Sequence, residues 1–408
     1  MRIALAVSEF PSASQTFVLD HACGLIERGH AVALHALKPG SLREPHAGIA
    51  KFGLLKHVHY APPPLPITPR TLQLLSLLRH CGVEFLKHPK LAWRFMKMPS
   101  GNRFDVIRRC LSFWSRATRY DLIHAHSGYN AHQLMPLYGA SDLRTPLIVT
   151  FHGHDVHAFL RSRPENYYQA TFARAAALIV CSDFMRMRLL ALGAPLEKLH
   201  VIPNGVDIGG TVFRERQPPQ GRSLRLLSIG RLVPFKGLQV LIEALQQPSM
   251  QMLDWQLNVV GDGPLHAALI KQAEKTGLAG RIIFHGACAR EKVLSLIDAS
   301  DLYLAPAVVD ADGNTETQGV ALLEAMASGL PVIASAVGGI PETVGTAAAA
   351  LIPPGDIKAL AAAVQNLLLR PASWAALGRA GRERVEQHYD RQTWINRLEA
   401  LYVQSARN

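Results

Sequence analysis

Residues 224–237 read Leu-Arg-Leu-Leu-Ser-Ile-Gly-Arg-Leu-Val-Pro-Phe-Lys-Gly, a short apolar run that ends in a glycine turn. Such a run, bounded by glycine and followed by a helical pattern, is typical of a buried strand in a parallel sheet. The turn carries two cations, Arg231 and Lys236, beside the start of the helix that follows. Helix N-termini and cationic side chains both bind anions. The stretch therefore predicts an α/β unit with an anion site, although the glycine after Lys236 excludes a Walker A loop.

The same alternation of short apolar runs and helical patterns continues on both sides of this stretch, which predicts parallel α/β units. In the first half we expect a helix over 15–28 and strands at 3–7, 31–37, 122–126, 147–152, 178–181 and 200–203. Residues 207–222 lose this periodicity and are predicted to form a linker. In the second half we expect a last helix over 391–405 and strands at 224–229, 256–260, 281–285, 302–305 and 331–334. The simplest architecture that accounts for these elements is two Rossmann-like domains that face each other across a cleft, with ligands at the carboxyl ends of the strands.

Two further motifs follow strands of the second half. Residues 260–263, Val-Gly-Asp-Gly, form a second glycine turn, and two such turns, one with paired cations, suggest a nucleotide diphosphate. Residues 316–331 read Glu-Thr-Gln-Gly-Val-Ala-Leu-Leu-Glu-Ala-Met-Ala-Ser-Gly-Leu-Pro, and a helix is expected to begin near Gln318. Glu316 precedes this helix and Glu324 lies two turns into it. A carboxylate accepts hydrogen bonds from two hydroxyls, which suits a diol of a ribose or a sugar, whereas an exposed glutamate and a helix glutamate paired with a base are the structural alternative. The backbone N–H groups of Gly319 and Val320 are expected to face the cleft.

Charge is distributed unevenly along the 408 residues, which carry 43 basic and 31 acidic side chains and a formal net charge of +12. Residues 1–210 hold 24 basic and 13 acidic side chains, whereas the remainder hold 19 and 18. Residues 70–119 alone combine 11 basic with 2 acidic side chains, interleaved with leucines and aromatic residues. A basic amphipathic stretch is typical of a membrane-surface element, although a helical insertion that packs on its own domain has the same pattern. The first half is therefore expected to meet an anionic partner.

Composition excludes several classes of protein. With 49% apolar and 18% charged residues, the chain can bury sizeable cores and is not disordered. Its apolar runs are too short to span a membrane, and residues 1–8 are expected to form a buried strand rather than a signal peptide. The five scattered cysteines lack a Cys-x-x-Cys pair, which fits free thiols in a reducing cytoplasm. The basic segment has no signature of an RRM, a zinc finger or a helix-turn-helix, which disfavours a nucleic-acid binder.

Together these motifs resemble the retaining GT-B glycosyltransferases of family 4 over nearly the whole chain. In the second half the resemblance rests on residues 230–237, 260–263, 316–324 and 336–342, the last of which reads Ala-Val-Gly-Gly-Ile-Pro-Glu. In the first half it rests on Thr-Phe-His-Gly-His-Asp at 150–155 and Val-Ile-Pro-Asn-Gly-Val-Asp at 201–207. Residues 10–17 and 309–313 look like the bacterial colanic-acid and exopolysaccharide branch. The resemblance implies an acceptor-side domain over 1–205 with a basic insertion at 70–119, a nucleotide-sugar domain over 206–388, and a C-terminal helix within 389–408 that crosses back to the first domain.

The resemblance also implies a role for individual residues. The catalytic group would be His152, Glu316, Arg231 and Lys236, with Glu316 on the hydroxyls of the transferred sugar and the two cations on the donor diphosphate. Glu324 would bind the ribose, and the donor site as a whole would comprise Arg231, Lys236, Gly261, Asp262, Gly263, Gln318, Gly319, Val320, Leu323 and Glu324. The acceptor side would include Ser14, Gln15 and Asp155. The residues expected to face a membrane are Arg108, Arg109, Arg116 and Arg119.

The chemistry implied by the resemblance is a same-face transfer through an oxocarbenium-like ion pair, in which the leaving phosphate takes the proton of the acceptor. The resemblance implies that no metal and no other cofactor would be required, because cationic side chains and helix dipoles would replace Mg²⁺. The donor would be a nucleotide diphosphate hexose, with UDP favoured over GDP. The acceptor would be lipid-linked, a lipopolysaccharide or an exopolysaccharide. With these partners the enzyme is expected in the cytoplasm, peripheral at the inner face of the cytoplasmic membrane and without nucleic acid.

The sequence leaves several alternatives open. A nucleotide-sugar epimerase shares the GT-B architecture, and a basic membrane-binding or nucleic-acid-binding protein without transferase activity is a different class. His152, His154, Asp155 and His157 suggest a metal site, but no spacing fixes a third ligand and a His-Glu-x-x-His motif is absent. His124 and His126 are expected either to line the cleft or to be hydrogen-bonded in the core. The branch commonly has glutamate where Gln15 stands, and Ser14 could simply cap the first helix.

Overall fold

The computed structural model describes residues 1–12, 15–40, 47–61, 93, 113, 117, 119–140, 143–346 and 348–407. Most of the basic segment 70–119, including Arg108, Arg109 and Arg116, lies outside these described residues, as does Ser14. Arg119 is described and is exposed to solvent. Within the described ranges, none of the helices is long and apolar enough to cross a bilayer.

The first domain is built on a sheet of parallel strands in the order β3-β2-β1-β4-β5-β6-β7. Its described strands are β1 (Arg2–Phe10), β2 (Ala31–Pro39), β3 (Val58–Tyr60), β4 (Leu122–His126), β5 (Leu147–Phe151), β6 (Ala177–Val180) and β7 (Leu199–Val201). Its described α-helices are α1 (Thr16–Glu27), α2 (Ala47–Lys51), α3 (Gly128–Ala140), α4 (Gln169–Arg174) and α5 (Asp183–Ala191). Because the strand order reverses between β1 and β4, the loops at their carboxyl ends diverge and leave a crevice there.

The second domain repeats this architecture with the strand order β10-β9-β8-β11-β12-β13, again all parallel. Its strands are β8 (Leu224–Ile229), β9 (Trp255–Val260), β10 (Ile282–Phe284), β11 (Leu302–Ala305), β12 (Val332–Ser335) and β13 (Ala350–Ile352). Its α-helices are α6 (Leu238–Leu245), α7 (Pro248–Gln251), α8 (His266–Lys275), α9 (Arg290–Ala299), α10 (Val320–Ala327), α11 (Ile340–Val344), α12 (Ile357–Leu368) and α13 (Pro371–His388). The order reverses between β8 and β11, so the turn after β8 borders the crevice of this domain.

Both sheets are buried on their two faces, which explains why their strands are continuous apolar runs rather than alternating ones. In β1, Ile3 and Leu5 belong to a core cluster on one face, whereas Ala4 and Ala6 belong to a cluster on the other. All four of these side chains are at most 5% exposed. Helices cover both faces, as expected for a doubly wound domain.

The C-terminal segment returns to the first domain. Helix α13 packs on α10 in the second domain, whereas the next helix, α14 (Arg391–Arg407), packs on α1 in the first. An isolated bridge joins Val206, just before the linker, to Asp390 between these two helices. A Cβ atom on Gly24 would lie 2.7 Å from Ile395, so glycine in α1 allows α14 to approach closely. Trp394, Ile395, Leu398, Leu401 and Tyr402 join the core cluster of the first domain.

The two domains also contact each other directly across the cleft. The carboxylate of Glu342 in α11 accepts hydrogen bonds from the backbone N–H groups of Asp183 and Phe184, at 2.6 and 2.7 Å, at the start of α5. The Arg161 guanidinium lies 2.8 Å from the Asp312 carboxylate in an exposed ion pair. Hydrogen bonds and an ion pair of charged side chains therefore join the two domains directly.

The fold predicted from sequence, two Rossmann-like domains with a helix that crosses back, is confirmed. Residues 207–222 contain no helix or strand, as expected of a linker. The sequence patterns did not predict β3 and β13, which are edge strands of only three residues each. Three residues cannot establish a hydrophobic period, so such strands are recognised only once a neighbour pairs with them.

Candidate active site

A pocket that is open to solvent lies at the switch point between β8 and β11. The first glycine turn lines it through Gly230, Arg231 and Lys236. The second turn, at 260–263, packs against the first. Gly261 has a φ of 130°, and a Cβ atom there would lie 1.9 Å from the Gly230 carbonyl oxygen. The Leu232 backbone N–H donates to the Asp262 carbonyl oxygen at 3.0 Å, which joins the turns a second time. Glycine at position 261 is therefore required by the close approach of two backbones as well as by its φ angle.

Lys236 and Glu316 form an ion pair on the wall of this pocket. Their side chains are only 24% and 14% exposed. Burial alone would raise the pKa of Glu316, but the charge and hydrogen bond of Lys236, with backbone N–H groups of Thr317 and Gln318, lower it below its ordinary value. Glu316 is thus held as an anion beside a cation, and both groups line the same pocket as Arg231.

Glu324 has its own buried partner, which the sequence did not predict. The Arg290 guanidinium lies 2.8 Å from the Glu324 carboxylate, and the side chains are 21% and 13% exposed. Burial raises the pKa of Glu324, Arg290 opposes this shift, and Asp20 in α1 adds to it. Arg290 begins α9, and a lone arginine at a helix start gives no sequence signal for a partner 34 residues away.

The start of α10 presents backbone groups to the same pocket. Gly319 caps the helix with a φ of 84° and lines the pocket, and Val320 is the first helical residue. The Gln318 side chain lies elsewhere: its oxygen accepts from the Asn204 backbone N–H and side-chain amide, and its nitrogen donates to the Asn204 carbonyl at 2.8 Å. Leu323 is fully buried in the core. Neither the Gln318 nor the Leu323 side chain is free to contact a donor, so any contribution from these two residues comes through the backbone.

His152 follows β5 at the edge of the first domain that faces the cleft. Its backbone N–H and that of Gly153 donate to the Asp155 carboxylate at 3.1 and 2.9 Å, and the other carboxylate oxygen accepts from Gly128 at the start of α3. Burial raises the pKa of Asp155, and these backbone bonds oppose the shift. The Asp155 side chain is 1% exposed. It therefore holds the His152 loop in place rather than facing an acceptor.

The loop that carries His152 touches the loop that carries Glu316. The Thr317 hydroxyl donates to the His152 carbonyl oxygen at 3.4 Å. A Cβ atom on Gly153 would lie 2.6 Å from the Thr317 side chain, so glycine is needed for this approach. This contact brings the loop of His152, the histidine predicted to be catalytic, against the loop of Glu316 on the opposite side of the cleft.

The remaining predicted residues are more peripheral. Arg231 is exposed at the mouth of the pocket, with no acidic partner among the described residues. Asp262 is 61% exposed and lies 3.3 Å from His266, while the Gly263 N–H donates to the Asp262 side chain. Gln15 precedes α1 without capping it through its side chain. The roles of these three residues stay predictions.

Behind His152 lies a buried chain of histidines. The closest nitrogens of His152 and His126 are 3.1 Å apart, and those of His126 and His21 are 3.0 Å apart. The Tyr402 hydroxyl of α14 bonds both His21 and His124. Burial lowers the pKa of His21 and of His152 to about 3, and those of His124 and His126 also lie well below the ordinary value. All four histidines are consequently neutral near neutral pH.

In sequence, His124 and His126 were open to two interpretations, and the structure supports hydrogen bonding in the core. His21, His124 and His126 have ligand atoms within 4.8 Å of one another and, among the residues the structure describes, are the group that could hold a metal ion. This is not the set at 152–157 that the sequence suggested. His21 and Tyr402 could not be found from spacing, because 381 residues separate them.

Two family models match consecutive parts of the chain. The model described as Glycosyltransferase Family 4 matches residues 14–209, and the model described as Glycosyl transferases group 1 matches residues 211–384. A putative colanic acid biosynthesis glycosyltransferase, WcaL of Salmonella typhimurium, is 30% identical over 99% of this chain and 100% of its own. The protein therefore belongs to the family 4 glycosyltransferases, as the motifs indicated.

Further relatives and solved structures agree with this assignment. The amylovoran biosynthesis glycosyltransferase AmsK of Erwinia amylovora is 28% identical over 96% of each chain. HepE of Anabaena, solved with UDP and glucose, is similar with a TM-score of 0.70 and 20% identity over 98% of each chain. WaaG, a glycosyltransferase involved in lipopolysaccharide biosynthesis, has a TM-score of 0.64 and 18% identity over 97% of this chain and 98% of its own. At these identities the structural matches establish the GT-B fold.

Proposed function

We propose that this glycosyltransferase is a retaining, metal-independent enzyme that moves a hexose from a nucleotide diphosphate sugar to a glycan acceptor. The observation that carries the proposal is the pocket at the β8–β11 switch point, where the Lys236–Glu316 pair, the Arg231 turn and the start of α10 meet. Anionic phosphates suit the cations and the helix start, and sugar hydroxyls suit the carboxylate.

In the proposed mechanism, Arg231 and Lys236 bind the diphosphate and stabilise the negative charge that develops on it as the glycosidic bond breaks. Glu316 accepts hydrogen bonds from hydroxyl groups of the hexose, and Glu324, held by Arg290, accepts hydrogen bonds from those of the ribose. His152 lies across the cleft on the hexose side because its loop contacts Thr317. The acceptor hydroxyl attacks from the face that the diphosphate leaves, and the leaving phosphate takes its proton. The cations supply the charge that a divalent ion would otherwise supply, which supports metal independence.

For the acceptor, we propose a lipid-linked precursor of an exopolysaccharide or a lipopolysaccharide. The support is the full-length similarity to relatives named for colanic acid and amylovoran biosynthesis. For the donor we propose a UDP-hexose ahead of a GDP-hexose. Other relatives, at 29% identity over 62% of this chain, are named as GDP-mannose-dependent mannosyltransferases, so the nucleotide must be tested directly.

We also propose that the enzyme works in the cytoplasm, attached peripherally to the inner face of the cytoplasmic membrane. The support is the basic amphipathic composition of residues 70–119. Each basic side chain near an anionic surface contributes about 1 kcal/mol, so half of these charges would retain the enzyme there. Flotation with anionic liposomes at low salt tests this. Absence of binding, or binding unchanged when Arg108, Arg109, Arg116 and Arg119 are replaced by glutamate, would contradict it.

The transfer itself is tested by incubation with a panel of UDP- and GDP-hexoses and a lipid-linked acceptor. Product NMR should show the anomeric configuration of the donor, in the presence and absence of EDTA. Lys236→Ala and Glu316→Ala should each lower turnover by roughly 10²-fold or more, in the range for loss of a charge-stabilising group. Glu383→Ala, an exposed carboxylate on α13, is the matched control and should retain turnover. An inverted product, or activity abolished by EDTA and restored by Mg²⁺, contradicts the mechanism.

Release of an epimerised nucleotide sugar without any acceptor would instead identify an epimerase. Binding of anionic vesicles or nucleic acid without turnover of any donor would favour a binding protein. Either result would leave the fold assignment intact and would replace the proposed reaction.

A further inference from the structure

Six side chains form one continuous hydrogen-bonded chain that ends at His152. It begins at the Thr150 hydroxyl, which lies 2.7 Å from His124 Nε2. His124 Nδ1 bonds the Tyr402 hydroxyl, which bonds His21 Nε2 at 2.8 Å. His21 Nδ1 then bonds His126 Nε2, and His126 Nδ1 bonds His152 Nε2. Every interior histidine therefore uses both of its ring nitrogens.

The hydrogens available to this chain can be counted. Each histidine is neutral, because burial keeps its pKa low, and so brings one N–H hydrogen. Burial raises the pKa of Tyr402 well above its ordinary value, so the phenol keeps its hydrogen. Thr150 brings one hydroxyl hydrogen. Of these six hydrogens, five fill the five contacts and the sixth must point out of the hydrogen-bonded chain.

The two possible directions are not equivalent. If the N–H groups point from His152 towards Thr150, the Thr150 hydroxyl must donate elsewhere, and it has no other partner among the described residues. Thr150 is 5% exposed, so this arrangement leaves a buried donor unpaired. An unpaired buried donor costs about 1–3 kcal/mol. If the donors point the other way, every hydrogen within the chain is paired.

An arrangement in which the Tyr402 oxygen accepts from both histidines is also disfavoured. The phenol hydrogen would then lack an acceptor, since His21 and His124 are its partners among the residues described. The Tyr402 side chain is fully buried, so water cannot take this hydrogen. Tyr402 must accept from one histidine and donate to the other, which passes the direction set at Thr150 along the whole chain.

We infer that Thr150, His124, Tyr402, His21 and His126 are positioning residues that fix His152 as a neutral, Nδ1-protonated hydrogen-bond donor towards the cleft. His152 Nε2 accepts from His126 and is unavailable to a substrate. His152 Nδ1 has no partner among the described residues and follows β5 at the cleft edge. The histidine therefore donates to an oxygen atom and does not act as a base. That this oxygen belongs to the hexose or the acceptor rests on the proposed function, whereas the tautomer does not.

The same cluster includes the three histidines whose nitrogens lie close enough for a metal ion. Zinc ligand nitrogens stand about 2.0–2.1 Å from the metal, whereas these nitrogens already satisfy one another directly. No carboxylate belongs to the group to offset a divalent charge in this buried place. The hydrogen-bonded chain accounts for each ring nitrogen of these three histidines without an ion.

The tautomer can be measured without substrate by ¹⁵N NMR of the full-length protein, with ring-labelled histidine. The protein has 18 histidines, and the His152 signals are assigned by their loss in the spectrum of His152→Gln. We expect protonated Nδ1 and unprotonated Nε2 over the whole range from about pH 6 to 8. A protonated Nε2, an imidazolium near pH 6, or zinc bound to the purified protein with metal-shifted ring nitrogens would overturn the inference.

Variants test the direction of the chain. Thr150→Val removes the hydroxyl with little change in shape, so both directions then leave one group unpaired and the Nδ1-protonated fraction should fall towards about one half. Thr150→Ser restores the donor and should restore the tautomer. Tyr402→Phe interrupts the chain and should also mix the tautomers. If the tautomer stays unmixed in both Thr150→Val and Tyr402→Phe, the chain does not set it.

Two comparisons separate this role from a structural one. Tyr138→Phe removes another largely buried phenol, whose hydroxyl bonds the Thr145 carbonyl, and should leave the His152 tautomer unchanged. If turnover is detected, kcat of Thr150→Val should fall in proportion to the Nδ1-protonated fraction, about twofold, with donor KM nearly unchanged. Failure of the proposed transfer would abolish the kinetic readout and leave the NMR result standing, so the two ideas fail independently.

Discussion

Removing either member of the Lys236–Glu316 pair should destabilise the fold, and removing both should cost less than the sum. Lys236→Met leaves a carboxylate that is 14% exposed without its cation, and Glu316→Gln leaves a lysine that is 24% exposed without its anion. Breaking one side of a buried pair costs about 3–5 kcal/mol, and the partial exposure of Lys236 places each single change near about 3 kcal/mol. The double change removes both charges, so we expect a coupling free energy of about 2 kcal/mol.

The pH dependence gives this prediction a second signature. With Lys236 present, its charge keeps the pKa of Glu316 low despite burial. In Lys236→Met burial prevails, so the pKa of Glu316 rises above its unfolded value. Protonation then removes the unpaired charge, and the destabilisation by Lys236→Met should shrink as the pH falls from about 7.5 to 5.5. The same comparison on Glu316→Gln should show no such recovery, because no carboxylate remains at that position.

The assay is urea unfolding of the four proteins of the cycle, at low and at high salt. The exposed pair of Arg161 and Asp312 is a matched control, with side chains 56% and 63% exposed and a separation of 2.8 Å. Its coupling should be below about 1 kcal/mol and should decline with salt, whereas that of the buried pair should persist. A coupling for Lys236 and Glu316 below about 0.5 kcal/mol, or one equal to the control, would refute the reasoning.

Three further predictions concern a turn, an interface and acid stability. Gly261→Ala should lower the free energy of unfolding by about 1–3 kcal/mol and abolish donor-induced thermal stabilisation, because its Cβ would meet a backbone oxygen at 1.9 Å; Gly277→Ala, where no atom lies within 4 Å, is the control and should keep donor binding. Glu342→Ala removes two hydrogen bonds from backbone N–H groups of the first domain to the second, and should weaken the contact between the domains by about 2 kcal/mol. An unchanged radius of gyration by X-ray scattering, with unchanged proteolysis of the linker, would count against this. Burial lowers the pKa of His21 to about 3, so below about pH 6.5 the unfolded state binds more protons than the folded state. As the pH is lowered further, the free energy of unfolding should therefore fall by about 1.4 kcal/mol per pH unit from this residue alone. Urea midpoints that do not decrease between about pH 7.5 and 5.5 contradict this prediction.

Local patterns were sufficient for the architecture and for the motif side of the site. Apolar runs ending in glycine marked β8 and β9, because strand burial and tight turns depend on residues next to each other in sequence. The pocket at the β8–β11 switch point contains the predicted Arg231, Lys236 and Glu316. The same patterns could not locate β3 and β13, whose three residues are strands only because a neighbouring strand pairs with them.

The sequence by itself determined two α/β domains, a charged pocket beside two glycine turns and membership of a glycosyltransferase family. Only the tertiary structure decided which partners those residues meet. Asp155 proved to hold backbone N–H groups, and Gln318 proved to be tied to Asn204. The chain that sets the direction of His152 joins His21 to Tyr402, 381 residues apart. Hydrogen-bond partners and burial depend on which elements the fold packs together, and no periodicity along a chain records a contact between its two ends.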